Sequence, residues 1–79
     1  MALLTLYTTS GCHLCEEALK LIMLQLAGDD HLREVDVVDD DDLLTRYGIR
    51  VPVLRREDGA ELAWPFGPEQ LMLFLQRHS

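Results

Sequence analysis

The chain has 79 residues, 48% of them hydrophobic, which is enough for one domain around one small core and too short for two. Its formal net charge of −7 and pI near 4.6 argue against a polyanionic partner such as nucleic acid, because phosphate backbones are held by clustered Lys and Arg. No stretch approaches the ~18 apolar residues of a membrane span, and the opening MALLTLY lacks the basic region and cleavage site of a secretory signal, so the expectation is a cytoplasmic protein with no membrane partner.

A reducing cytoplasm disfavours permanent disulfides. Cys12 and Cys15, the two cysteines of the chain, are therefore read toward reversible redox chemistry or metal binding.

In chain order, Leu3 to Tyr7 (LLTLY) is short and apolar and is interrupted by TTSG, the pattern of a buried strand followed by a turn. A helix is predicted from Cys12 to Ala27, a stretch without Pro or Gly and with Ile22 as its one β-branched residue; Gly28, Asp29 and Asp30 supply the stop. His13, Glu16, Glu17 and Lys20 share a polar stripe on it, with Glu16 and Lys20 in the favourable i,i+4 order. Cys15, Ala18, Leu19, Ile22, Met23 and Leu26 form the apolar side, which Leu14, Leu21 and Leu24 widen so far that the helix is expected to be largely covered.

HLREVDVVD, from His31 to Asp39, reads as a half-buried strand. Strand, helix and strand in this space fit one βαβ unit. The four carboxylates Asp39 to Asp42 lack the alternation and glycine bend of a calcium loop, so they are assigned to capping a short helix, DLLTRY, that ends at Gly48.

IRVPVLRRE leads into another strand, and the turn at Glu57 to Gly59 pairs Val53 to Arg56 with Ala60 to Ala63 as a hairpin. Arg50, Arg55 and Arg56 form the one local basic concentration and are read as solvated charges beside that strand rather than as an anion site. Trp64, Pro65 and Phe66 are expected to form a satellite apolar cluster, with an apolar rim beside the cysteines as the other reading. Pro68 suits the first turn of a closing helix through Leu71 to Leu75, with Arg77 and His78 at its negative end. The order β-α-β-α-β-β-α gives an α/β domain spanning residues 1–79, with a four-stranded mixed sheet and helices on both faces.

The spacing Cys-His-Leu-Cys at a helix start allows a disulfide. A sulfur at the helix entrance faces unpaired backbone N–H groups and the positive end of the dipole, which stabilise its thiolate. Cys12, the outer residue, is thus the candidate nucleophile, and Cys15, one turn inward, the candidate resolving thiol. His13 is a candidate for tuning the Cys12 thiolate, against the alternative of an exposed histidine on the polar stripe. A tetrahedral zinc site commonly takes two ligand pairs, and the chain offers only His13, His31 and His78 beyond the cysteines, so no metal is assigned. The alternative to redox catalysis is a binding or scaffold module whose CxxC is vestigial or holds zinc.

Three pieces together resemble the small bacterial glutaredoxin-like proteins of the thioredoxin superfamily: LYTTSGCHLC at the strand and turn before the cysteines, IRVPVL about 40 residues later, and FGPEQLMLFL at the last helix. The resemblance covers nearly the whole chain in element order. It implies a thioredoxin-like fold and a dithiol thiol–disulfide oxidoreductase, acting on a protein or small-molecule disulfide without a bound cofactor. Glutathione, as reductant or co-substrate, or a thioredoxin-reductase-type partner would then restore the thiols. The resemblance also implies a cis bond before Pro52, with the Val51 and Pro52 backbone meeting an extended substrate. Thr9 and Ser10 stand where many glutaredoxins carry a lysine. His13-Leu14 replaces Pro-Tyr, and Gly67-Pro68-Glu69 replaces the paired glycines and aspartate. Each change removes a group that would cradle glutathione's carboxylates.

Overall fold

The computed structural model of the protein describes residues 3–76. Strand β1 (Leu3–Thr8) leads through a tight turn into helix α1 (His13–Gln25), and strand β2 (His31–Asp36) returns beside β1. A single 3₁₀ turn (Val37–Asp39) precedes helix α2 (Asp41–Tyr47); strands β3 (Val53–Arg56) and β4 (Glu61–Ala63) form a hairpin, and helix α3 (Pro68–Gln76) closes the fold.

The strands lie in the order β2-β1-β3-β4, with β1 and β2 parallel and the β1–β3 and β3–β4 pairs antiparallel. Side chains alternate between the faces of a sheet, and here the alternation separates two cores. Leu4, Leu6 and Leu54 point to one side, where they meet Ala18 and Ile22 of α1, Phe66, and Leu71 of α3. Val53 and Tyr7 point to the other, where they meet Val37 and Tyr47. Burying a leucine completely is worth roughly 1.5–3 kcal/mol, and Leu6, Leu54 and Leu71 are fully buried, so the first core carries most of the hydrophobic stabilisation.

Several boundaries differ from the sequence reading. Helix α1 stops at Gln25 because Leu26 takes an extended backbone conformation. The chain beyond it closes a turn in which Asp30 N–H donates to the Ala27 carbonyl and the Asp30 carboxylate accepts from Ala27 N–H. The helix is not largely covered: Leu14, Met23 and Leu24 are 47%, 58% and 83% exposed. A helix lying on a sheet hides one stripe, here Cys15, Ala18 and Ile22, and α3 covers only part of the remainder.

Strand β2 ends at Asp36 rather than Asp39, because the Asp36 carboxylate accepts from Val38 N–H and turns the chain into the 3₁₀ segment. Asp40 does cap α2, its Oδ1 accepting from the N–H groups of Asp42 (2.8 Å) and Leu43 (3.2 Å). Phe66 belongs to the main core rather than a satellite, with Trp64 packed edge-on against it at 5.0 Å between ring centroids. The last helix begins at Pro68 as its sequence suggests, and Gly67 N–H is closed off by the Gln70 side chain. Arg77 and His78 lie outside the described residues.

Candidate redox site

The register of the sheet assembles the site. Thr8 is opposite Asp36, Tyr7 is opposite Val53, and Val53 is opposite Ala63. The segments 9–12, 37–40, 48–52 and 64–67 therefore all leave the sheet at one end, the carboxyl end of the parallel strands, where open α/β sheets hold their ligands. Cys12, Pro52 and Trp64, far apart in sequence, are thus all on segments at that end.

The cysteine loop turns at Gly11, whose φ of +73° is the left-handed conformation that glycine adopts without a steric penalty. Cys12 then takes extended backbone angles as the N-cap of α1, and its Sγ accepts from Cys15 N–H at 3.1 Å. Cys12 and Cys15 form a disulfide across a Cα–Cα distance of 5.2 Å. The two cysteines are not equivalent: Cys15 is buried, whereas Cys12 is half-buried at the helix entrance. Ser10 fastens the loop from the other side, its hydroxyl donating to the Asp36 carboxylate at 3.1 Å. Asp36 thereby holds both the cysteine loop and the turn after β2.

His13 is 81% exposed, with Nε2 3.0 Å from the Glu17 carboxylate one turn along. The Glu16–Lys20 pair expected from the sequence is not among the ion pairs of the described residues, where His13–Glu17 takes its place on the same stripe.

The Val51–Pro52 peptide bond is cis, as is Trp64–Pro65. The two prolines are neighbours, because Trp64 N–H donates to the Pro52 carbonyl at 3.1 Å. Val51 N–H is directed to the Tyr47 carbonyl at 3.0 Å, and the Val51 carbonyl has no partner among the described residues. Beneath this segment the Tyr47 ring stacks on Tyr7 at 4.3 Å between centroids, and its hydroxyl donates to the Glu61 carboxylate. Arg50 lies over the same ring at 5.6 Å and 3.6 Å from Glu61. Burial first, and then the Glu61 hydrogen bond, hold the Tyr47 hydroxyl above the ordinary tyrosine value.

Sequence reasoning singled out both cysteines, Val51 and Pro52, and did not single out Asp36 or the Tyr47–Glu61–Arg50 group that the structure places at the same end of the sheet. An aspartate ending a strand two residues before a turn is a legible capping signal for Asp36. Nothing in the sequence pairs Tyr47 with Glu61.

Among the described residues, no cluster of three or more His, Cys, Asp or Glu side chains is arranged to hold a metal ion, and no helix is long and apolar enough to cross a membrane.

Residues 3–76 match the family described as Glutaredoxin-like domain (DUF836). The chain belongs to that family. The solved structures it resembles include the X-ray structure of target protein XcR50 from X. campestris, at 43% identity and a TM-score of 0.82 over 91% of this chain and 93% of that one. The solution structure of XcR50 gives 44% identity and a TM-score of 0.80 over 95% and 92%. Protein Ne2328 from Nitrosomonas europaea, solved by NMR, is 30% identical with a TM-score of 0.72 over 94% of this chain and 89% of that one. No curated protein matches the chain. Membership of the glutaredoxin-like family, with a CxxC pair at the head of α1, makes this a thiol redox fold.

Proposed function

We propose that this glutaredoxin-like protein is a dithiol thiol–disulfide oxidoreductase that reduces protein or small-molecule disulfides through Cys12 and Cys15. The observation that carries the reading is the asymmetry of the pair: Cys12 caps the helix and is reachable, while Cys15 is buried one turn below. In the reduced protein the Cys12 thiolate would keep the Cys15 N–H as a donor and face the positive end of α1.

That thiolate attacks one sulfur of the substrate disulfide. The substrate S–S bond breaks, one substrate thiol leaves, and a mixed disulfide to Cys12 forms. Cys15 gives up its proton and attacks Cys12 Sγ, which forms the Cys12–Cys15 bond and releases the second substrate thiol. Two electrons have then moved from the pair to the substrate; one proton comes from Cys15 and the other from solvent, since Cys12 reacts as the thiolate, and an external thiol reductant restores the electrons. The free carbonyl of Val51, held beside the cis Pro52, is the group we assign to accept from an extended substrate backbone.

Glutathione is expected to be a weak reductant here. At the start of α3, Gly67 N–H is already bonded to Gln70, Pro68 has no N–H, and Glu69 adds a negative charge, so a substrate carboxylate finds few donors. A reductase that delivers electrons through its own dithiol does not need them.

Intact-mass analysis after exposure to bis(2-hydroxyethyl) disulfide tests the assignment. Cys15→Ser should accumulate one mercaptoethanol adduct on Cys12, and Cys12→Ser should accumulate none. An adduct that persists on Cys15 in the Cys12→Ser protein would reverse the roles.

A further inference from the structure

The face of the sheet opposite α1 and α3 is only half covered. Helix α2 has seven residues and reaches the Tyr7 and Val53 end. Toward the other end of the strands, a cleft of about 470 Å³ lies open, with Leu3, Thr5, His31, Arg33, Arg55 and Glu57 along it and Leu4, Leu32 and Arg56, from the alternate positions of the same strands, also at its border.

The register places two arginines symmetrically in that cleft. Thr5 on the central strand β1 is opposite Arg33 on β2 and opposite Arg55 on β3. Neighbouring strands are about 4.8 Å apart, so the two arginine Cα atoms stand roughly 10 Å apart on one face with the Thr5 hydroxyl between them. The carboxylate that the register offers Arg55 is Glu61 on β4, but Tyr47 and Arg50 already hold it. Neither Arg33 nor Arg55 enters an ion pair among the described residues. In a chain of net charge −7 with only seven Lys and Arg, two arginines without an ion-pair partner among the described residues line one cleft. Arg56 also borders the cleft, but its guanidinium is held by Asp58, by the Phe74 carbonyl and over the Phe74 ring.

We propose that the open half of this sheet face is a binding site for a small, multiply charged oxyanion, with the Arg33 and Arg55 guanidiniums as forks on either side and Thr5 as a floor donor. Each guanidinium presents planar pairs of N–H donors that match phosphate or carboxylate oxygens, and His31 adds a ring nitrogen at the rim. The volume suits a small molecule, since such sites are typically 300–1,000 Å³. Glu57 is the one carboxylate along the cleft, so a ligand with two or more negative charges is favoured over one with a single charge. The site stands apart from the redox chemistry: Leu3 and Thr8 mark opposite ends of β1, about 17 Å apart at strand rise.

The test is an NMR titration of the ¹⁵N-labelled full chain with sodium pyrophosphate, with sodium citrate, and with sodium chloride at matched ionic strength. At least one oxyanion should give saturable amide shifts confined to residues 3–5, 31–33 and 55–57, and which one does so separates a phosphate from a carboxylate ligand. Arg33→Gln and Arg55→Gln should each weaken binding roughly three- to tenfold, the range expected for losing one charge-assisted contact at a partly exposed site. Arg46→Gln, on α2, should leave it unchanged. Shifts that chloride reproduces, or binding that survives both substitutions, would overturn the proposal. So would binding of an oligo-glutamate peptide in the absence of any response to the two small anions.

Discussion

Cys12 and Cys15 carry the same side chain in different surroundings, and that difference is the source of the chemistry proposed for them. The N-cap position gives Cys12 a backbone donor and solvent access, while Cys15, in the first turn of the helix, is buried. His13 lies between them in sequence but outside them in space. Its ring reaches along the helix to Glu17 in a solvent-exposed pair, and exposed pairs are worth little, about 0.2–1 kcal/mol. His13→Ala is therefore expected to leave the reactivity of Cys12 unchanged, because the ring is engaged with Glu17. The pH dependence of Cys12 alkylation in the Cys15→Ser background checks this, and a profile displaced to higher pH would make His13 a tuning residue.

At the scale of elements, the junction between α2 and the β3–β4 hairpin rests on Tyr47. The ring is buried against Tyr7 and Val53, and the hydroxyl reaches across to Glu61 on the edge strand. Tyr47→Phe should cost about 1 kcal/mol at neutral pH, the usual net worth of such a hydrogen bond. Because the folded hydroxyl ionises above its unfolded value of 10.0, the stabilisation is fully present below pH 10 and is lost as pH rises through the folded value. Urea unfolding of both proteins across pH 7–11 should show a constant gap that narrows above pH ~10. A gap that is absent, or that widens with alkaline pH, would contradict this account of the junction.

The same elements mark how far the sequence can be read. Hydrophobic periodicity, Gly28, Gly48, Pro68 and the acidic cap at Asp40 place every helix and strand within a few residues, because these signals are local. What escapes is set by contacts between distant residues. Leu24 looks like part of an apolar face until the sheet shows how little of α1 it hides. Arg50 and Arg55 look alike in sequence, yet the register gives Glu61 to Arg50 and leaves Arg55 open. Asp36 resembles any acidic strand end until Ser10 is found bonded to it.

For the whole molecule, the sheet register turns a short chain into two ends with different chemistry. One gathers the cysteines, Pro52 and Trp64, and the other opens the cleft between Arg33 and Arg55. The glutaredoxin-like family match covers both ends, and the central claim concerns the first, namely that Cys12 and Cys15 cycle as a single reversible couple. An equilibrium titration in dithiothreitol and glutathione redox buffers, read by intact mass, tests it most directly. The account predicts one reversible two-electron transition, a difference of two hydrogens, with a midpoint on the order of −200 to −270 mV. A pair that stays fully reduced through that range, or that oxidises without returning on reduction, would contradict it.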